Sequence, residues 1–180
     1  MSLENILLSD NIKESINENM DYLLSIIPEI QYMIGFEHKH PHHHLDVWNH
    51  TIFALSLSKK DFDVRISLLL HDIGKPFSYQ EGNVRHFKNH AIVSARISES
   101  VLRSLNYAET YIKYICYLIE YHDTPISNEQ IIDNYDRCLK LYEIQRCDAL
   151  AHHPNQLKKR KKYLEETGKK LLLSKPSDFN

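Results

Sequence analysis

The stretch Leu68-Leu69-Leu70-His71-Asp72-Ile73-Gly74-Lys75-Pro76 decides how this chain is read. Three leucines carry the backbone into an apolar interior, and a histidine and an aspartate follow side by side. A carboxylate buried there without a partner is strongly unfavourable. A nitrogen donor and an oxygen donor on adjacent residues can serve one metal ion, which resolves that penalty. Gly74 and Pro76 come next, in the order that ends a helix.

Working outward, the apolar residues repeat at helical spacing. Residues 1–34 read as one or two helices (Ile12, Ile16, Met20, Leu23, Leu24, Ile27) broken by Pro28. A histidine-rich loop at about 36–44 follows, and Asp46 is placed to cap a helix running to about Ser58. Asp61 or Asp63 starts the helix that carries the His-Asp pair. Residues 76–88 hold no helical period. Asn89 is placed to cap a helix ending near Asn106, another spans about 109–122 and stops before Pro125, and two more occupy about 136–151 and 156–173. The expected fold is an all-α bundle of about seven or eight helices. It forms a single domain over 1–180, with a helical extension at 1–34 and a charged helix and tail at 156–180.

Four of these helices each aim a histidine or carboxylate along an apolar stripe. Val47, His50, Ala54 and Leu57 share a face; so do Val64, Leu68 and His71; so do Tyr111, Ile115, Leu118 and His122; so do Leu141, Ile144, Asp148 and Ala151. Helical bundles build metal sites in this way, from side chains on facing helices. Taken alone, an inward histidine such as His90 or His122 is also readable as a hydrogen-bonded core residue, and Asp148 as the partner of Arg146 or Lys75. For His50, His71, Asp72 and Asp148 together, such accidents would have to coincide. Nitrogen and carboxylate donors without thiolate suit one or two divalent transition metal ions: iron, manganese, cobalt, nickel or zinc.

Composition limits the alternatives. At 180 residues and 42% hydrophobic, the chain can bury one core. Only 4 glycines and 6 prolines argue against an all-β chain rich in tight turns. A net charge of -2 marks neither a nucleic-acid binder nor a membrane-surface binder. Cys116, Cys138 and Cys147 form no CxxC pair, so a disulfide framework is not expected and a reducing cytoplasm is. No basic-then-apolar leader is expected at the N-terminus, and no segment approaches the roughly 18 apolar residues of a membrane span.

The pattern His50, then His71-Asp72, then Asp148 resembles the HD superfamily of metal-dependent phosphohydrolases. It is more closely similar to the HD domain of bacterial tRNA nucleotidyltransferases (CCA-adding enzymes). Three stretches carry that likeness: Pro41-His42-His43-His44-Leu45-Asp46-Val47-Trp48-Asn49-His50-Thr51; Leu70 to Pro76 with His86-Phe87-Lys88-Asn89-His90; and Arg146-Cys147-Asp148-Ala149-Leu150. It covers about residues 30–155. No nucleotidyltransferase head is expected before it, and so no CCA addition; the family often has glycine where Asn89 stands. The resemblance implies a first metal on His50, His71, Asp72 and Asp148. It implies a second on His90 and His122 with Asp72 bridging, and attack of activated water on phosphorus. Lys75 is placed to meet a phosphate, or else is a solvent-exposed lysine at a helix end. Asp123 orients the ring of His122 or acts as general acid. The implied substrate is a phosphorylated small molecule or nucleotide, with RNA a further possible partner. The oligomeric state is left open.

Other residues invite a role. His38 and His40 read as polar rings tolerated by a loop, His42 and His43 as residues of the site mouth. His86, one turn before His90, is placed to touch substrate or the second metal. His152 and His153 read as caps of a helix end. The run Lys158-Lys159-Arg160-Lys161-Lys162 suits RNA phosphates, but Glu165 and Glu166 beside it favour a solvated face. The 11 tyrosines scatter at helical spacing and need no base-stacking role. Two functions compete with phosphoester hydrolysis. One is an HD-fold enzyme that uses two irons to activate oxygen, and the other is a non-catalytic RNA or nucleotide binder with a structural metal.

Overall fold

A computed structural model describes residues 2–40 and 45–174. His42 and His43, read above as residues of the site mouth, lie outside the described residues. No strand occurs among those described, only isolated bridges between Glu37 and Asp46 and between Gln80 and His86. The fold is all-α, as expected. In order it contains α1 (Leu3–Leu7), α2 (Ile12–Glu18), α3 (Met20–Ile26), α4 (Val47–Ser56), α5 (Phe62–Leu70), α6 (Lys75–Ser78), α7 (His90–Ser104), α8 (Glu109–Glu120), α9 (Asn128–Asp133), α10 (Tyr135–Ala151) and α11 (Leu157–Leu173). Eight of these helices are seven residues or longer; the other three, α1, α6 and α9, are shorter.

Local chemistry sets the helix ends. Asp46 Oδ1 accepts from Asn49 N at 2.7 Å, and Asp61 Oδ1 from Val64 N at 3.1 Å, so Asp61 rather than Asp63 starts α5. Ser127 and Gln130 close a reciprocal capping box on α9, a helix too short to show a period. The first 34 residues form three helices rather than one or two. Asn19 breaks the second from the third, and Pro28 opens a 3-10 turn, Pro28–Tyr32. Asn89 precedes α7 as expected, yet its side chain caps nothing: its φ is +60°, a left-handed turn that asparagine tolerates better than most residues and glycine better still.

The centre of the bundle is α5. Every residue from Val64 to Leu70 is buried, as a helix packed on all sides requires. It lies against α4, α8 and α10, with α1 and α7 also in contact. Each of Leu68, Leu69 and Leu70 removes apolar surface worth about 1.5–3 kcal/mol. Arg65 is buried too. Its Nη1 donates to Leu7 O at 2.6 Å and Ser9 O at 2.8 Å, and its Nε to Ser58 Oγ at 3.1 Å. One guanidinium thus ties the end of α1 and the α4–α5 link to the central helix.

Candidate metal centre

The His-Asp pair leaves α5 in a tight turn that runs against the start of α7. A Cβ on Gly74 would stand 2.5 Å from Ser94 N and 2.8 Å from His90 O. Glycine is therefore required by close approach, not by a left-handed backbone, since its φ is -82°. Gly74 N also donates to Ser94 Oγ at 2.9 Å. Pro76 does not simply end a helix; it lies in the first turn of α6, where its missing N–H is no loss. This contact brings His90 to Asp72.

Four helices and this turn converge on two donor groups. His50 (α4), His71, Asp72 and Asp148 (α10) form one; Asp72, His90 (α7) and His122, just past α8, form the other. Within each, the donor atoms lie within 4.8 Å of one another. In the first group His50 Nε2 is 2.9 Å from Asp148 Oδ1 and 3.7 Å from Asp72 Oδ2, and His71 Nε2 is 3.2 Å from Asp72 Oδ2. In the second, Asp72 Oδ1 is 3.4 Å from His90 Nε2 and 3.9 Å from His122 Nε2. Asp72 turns one oxygen to each group.

The histidines are oriented by a shared device. The Nδ1 of His71 donates to Leu68 O at 2.7 Å, that of His122 to Ile119 O at 2.7 Å, and that of His90 to Phe87 O at 3.0 Å. A carbonyl only accepts, so Nδ1 carries the proton and Nε2 is directed inward, the tautomer a metal takes. His50 Nδ1 meets Ala151 O at 3.3 Å in the same sense. These residues fit a divalent ion. His71 Nε2 and Asp72 Oδ1 are buried, and neither makes a hydrogen bond of acceptable geometry among the described residues. His71 Nε2 belongs to the first group and Asp72 Oδ1 to the second; each such orphan costs about 1–3 kcal/mol, which a cation in its group removes.

The electrostatics agree. Burial pushes Asp72 and Asp148 up, but His71 and Lys75 hold Asp72, and His152, His50 and His71 hold Asp148, well below the usual carboxylate range. Burial opposes the charge on His71, yet Asp72 and Asp148 prevail and raise it to about 10. Burial keeps His122 neutral, aided by His71 and His90, at about 4, and it lowers His90 as well. Cys147, next to Asp148, is no competing ligand: burial, followed by Glu143, pushes its thiol up to about 12.

Lys75 is not a solvent-exposed helix-end lysine. It is 5% exposed, with Nζ 2.7 Å from Asp72 Oδ2 and 3.1 Å from His38 Nε2. His38 is likewise not a ring idling in a loop. It is buried, its Nδ1 donates to Leu45 O at 2.9 Å, and burial with Lys75 lowers its pKa to about 2, so its Nε2 accepts from the ammonium. His152 does more than cap α10: it is buried, and its Nδ1 donates to Asp148 O at 2.7 Å. Arg146 is occupied by Glu143 at 2.7 Å, so it does not take Asp148. Asp123 is 47% exposed at the rim, its Oδ2 3.8 Å from His90 Nε2.

Beside these groups opens a cavity of about 650 Å³, lined among others by Lys75, His90, His122, Asp148, Lys159 and Arg160. Gln145, also in the lining, ties two of its walls together. Its Nε2 donates to Tyr121 O at 3.1 Å and Thr124 O at 2.7 Å, and its Oε1 accepts from Tyr163 of α11 at 2.8 Å.

A helical bundle with this donor pattern is an HD domain, and the family's sequence profile matches residues 42–165: the chain belongs to the HD domain family, a superfamily of metal-dependent hydrolases whose members bind divalent metals. Helices α1–α3 lie outside the match. Among curated proteins the chain is similar to the CC-adding tRNA nucleotidyltransferase of Thermus thermophilus, with 27% identity over 142 residues. The match covers 74% of this chain and 31% of that protein, so the chain spans under a third of the relative's length. No helix among the described residues is long and apolar enough to cross a membrane.

Proposed function

We propose that the chain is a metal-dependent phosphohydrolase that cleaves a phosphate mono- or diester of a nucleotide, a cyclic nucleotide or an RNA terminus. The observation supporting this most directly is Asp72, whose two oxygens serve two donor groups beside a cavity of about 650 Å³. That volume falls in the roughly 300–1,000 Å³ range of small-ligand sites. His50, His71, Asp72 and Asp148 would hold one divalent ion, and Asp72, His90 and His122 a second. A bound ion neutralises phosphate oxygens and brings the pKa of water toward about 7.

The chain's own groups do the rest. Lys75 has three N–H donors; two are spent on Asp72 and His38, and the third, with no hydrogen-bond partner among the described residues, would serve a phosphate oxygen at the cavity wall. Asp123, half exposed at the rim, is placed to steady His90 or to give a proton to the leaving oxygen. The neutral His38 holds the ammonium without competing for its charge.

The test is reconstitution of metal-depleted protein with manganese, nickel, cobalt or zinc. Turnover is then followed on p-nitrophenyl phosphate, bis(p-nitrophenyl) phosphate and nucleoside 2′,3′-cyclic phosphates. Turnover with at least one ion is expected, reduced to background in Asp72→Asn. A metal-loaded protein inert across that panel would end the hydrolase reading. A mixed-valent iron band with substrate-dependent oxygen uptake would replace it with an oxygenase.

A further inference from the structure

The basic run Lys158-Lys159-Arg160-Lys161-Lys162 divides when it folds. Lys158, Lys161 and Lys162 are exposed on α11, and Lys162 Nζ reaches Glu166 at 3.9 Å. That part is the solvated face its glutamates suggest. Lys159, exposed as well, and the half-buried Arg160 line the cavity beside the donor groups, with Tyr163 one turn further on.

Their electrostatic situation differs from that of the other cavity cations. Lys75 is paired with Asp72, and Arg85 Nε with Glu81 Oε2 at 2.8 Å. Lys159 and Arg160 make no hydrogen bond or ion pair among the described residues. Arg160 is half-buried, and burial lowers its pKa although Asp148 works the other way. Asp148 makes no ion pair with it and is held by His50 at 2.9 Å. A partly desolvated guanidinium without a counter-charge is unfavourable, and its planar fork matches phosphate oxygens. The wall carrying it is fixed, since Tyr163 donates to Gln145 at 2.8 Å and Gln145 to the 121–124 turn.

We infer that the cavity takes a ligand with two phosphate groups: one beside Asp72, His90 and His122, the other bound by Lys159 and Arg160. This rests on the hydrolase reading and narrows its substrate class, to a nucleotide with a second phosphate on the same sugar or one residue along a chain. A lone monoester would leave the α11 cations unanswered.

Metal-loaded protein is titrated calorimetrically with slowly hydrolysed phosphorothioate forms of adenosine 3′,5′-bisphosphate, adenosine 3′-monophosphate and adenosine 5′-monophosphate. The bisphosphate is expected to bind at least about tenfold more tightly than either monophosphate, the scale of one or two charge-assisted hydrogen bonds. In Lys159→Gln/Arg160→Gln that preference should shrink to within about threefold, and Arg160→Lys should retain part of it. A dinucleotide with a 3′-phosphate, titrated in parallel, tells a chain phosphodiester from a second monoester. Equal affinity for mono- and bisphosphate in the wild type, or a preference that survives the double substitution, overturns the inference. Turnover across the mono- and diester panel above reports separately on hydrolysis: its absence on every ester with the preference intact removes the hydrolase and leaves the subsite, while turnover without preference removes the subsite alone.

Discussion

Gly74→Ala tests the packing that joins the two donor groups. The added Cβ would lie 2.5 Å from Ser94 N and 2.8 Å from His90 O, both backbone atoms of α7, so no side chain can rotate out of its way. To reach 3.4 Å, ordinary contact, the turn and α7 must separate by roughly 0.9 Å. The unfolded chain is stiffened by about 0.4–1 kcal/mol in alanine's favour, but overpacking typically costs about 1–3 kcal/mol, so destabilisation wins. For a chain of this size the melting temperature falls about 2–4 °C per kcal/mol. The displacement acts on His90 Nε2, 3.4 Å from Asp72 Oδ1, and so on the second donor group rather than the first. A shift near 1 Å at a reacting centre costs about 10²-fold in rate. Differential scanning calorimetry, metal stoichiometry by elemental analysis and turnover of p-nitrophenyl phosphate together read the effect. Expected are a lower melting temperature, loss of one ion and a rate reduced about a hundredfold. A variant that melts within a degree of wild type and keeps both its metal content and its rate would refute the reasoning.

Two further outcomes follow from the same structure. Arg65→Met, which keeps the bulk but loses the bonds to Leu7 O, Ser9 O and Ser58 Oγ, should lower unfolding stability by about 3 kcal/mol in urea denaturation; a change below about 0.5 kcal/mol would show that the N-terminal helices are not pinned through this residue. Metal affinity should rise with pH. His71 is raised to about 10 and therefore protonated on Nε2 at neutral pH, so an ion must expel that proton, and apparent affinity should grow about tenfold per pH unit between roughly 6 and 8. Calorimetry in buffers of different ionisation enthalpy checks it, and a pH-independent affinity with no proton released would contradict it.

Four of the six donor residues were legible because each sits on an apolar stripe of regular period: His50 with Ala54, His71 with Leu68, His122 with Leu118, Asp148 with Ile144. A polar residue on such a stripe must face inward, whatever the tertiary arrangement. His38 carried no such signal. It lies in an aperiodic segment, and its burial follows from Lys75, whose long stem lets a cation in the middle of the chain reach an interior carboxylate. His152 was disguised by its position at the end of α10, where a histidine is welcome for reasons unconnected with a site. The expectation for Gly74 had the right residue and the wrong cause, because close approach to α7 is a long-range fact that a helix-ending glycine imitates locally. The one-turn helices α6 and α9 are below the length at which a period can be read. The basic run on α11 was ambiguous because its residues take different sides of one helix: Lys159 and Arg160 line the cavity, while their neighbours face water.

Gln145 gives the cavity two parts of different origin. The donor residues hang from α4, α7, α8, α10 and the turn after α5, whereas α11 adds Lys159, Arg160 and Tyr163 to the lining and no donor; Gln145 ties it to the rest, its amide binding Tyr163 on one edge and two carbonyls beside His122 on the other. Substitutions on α11 can therefore reshape what fits without replacing a donor residue. A lineage carrying this scaffold is free to change its diet while leaving its chemistry alone.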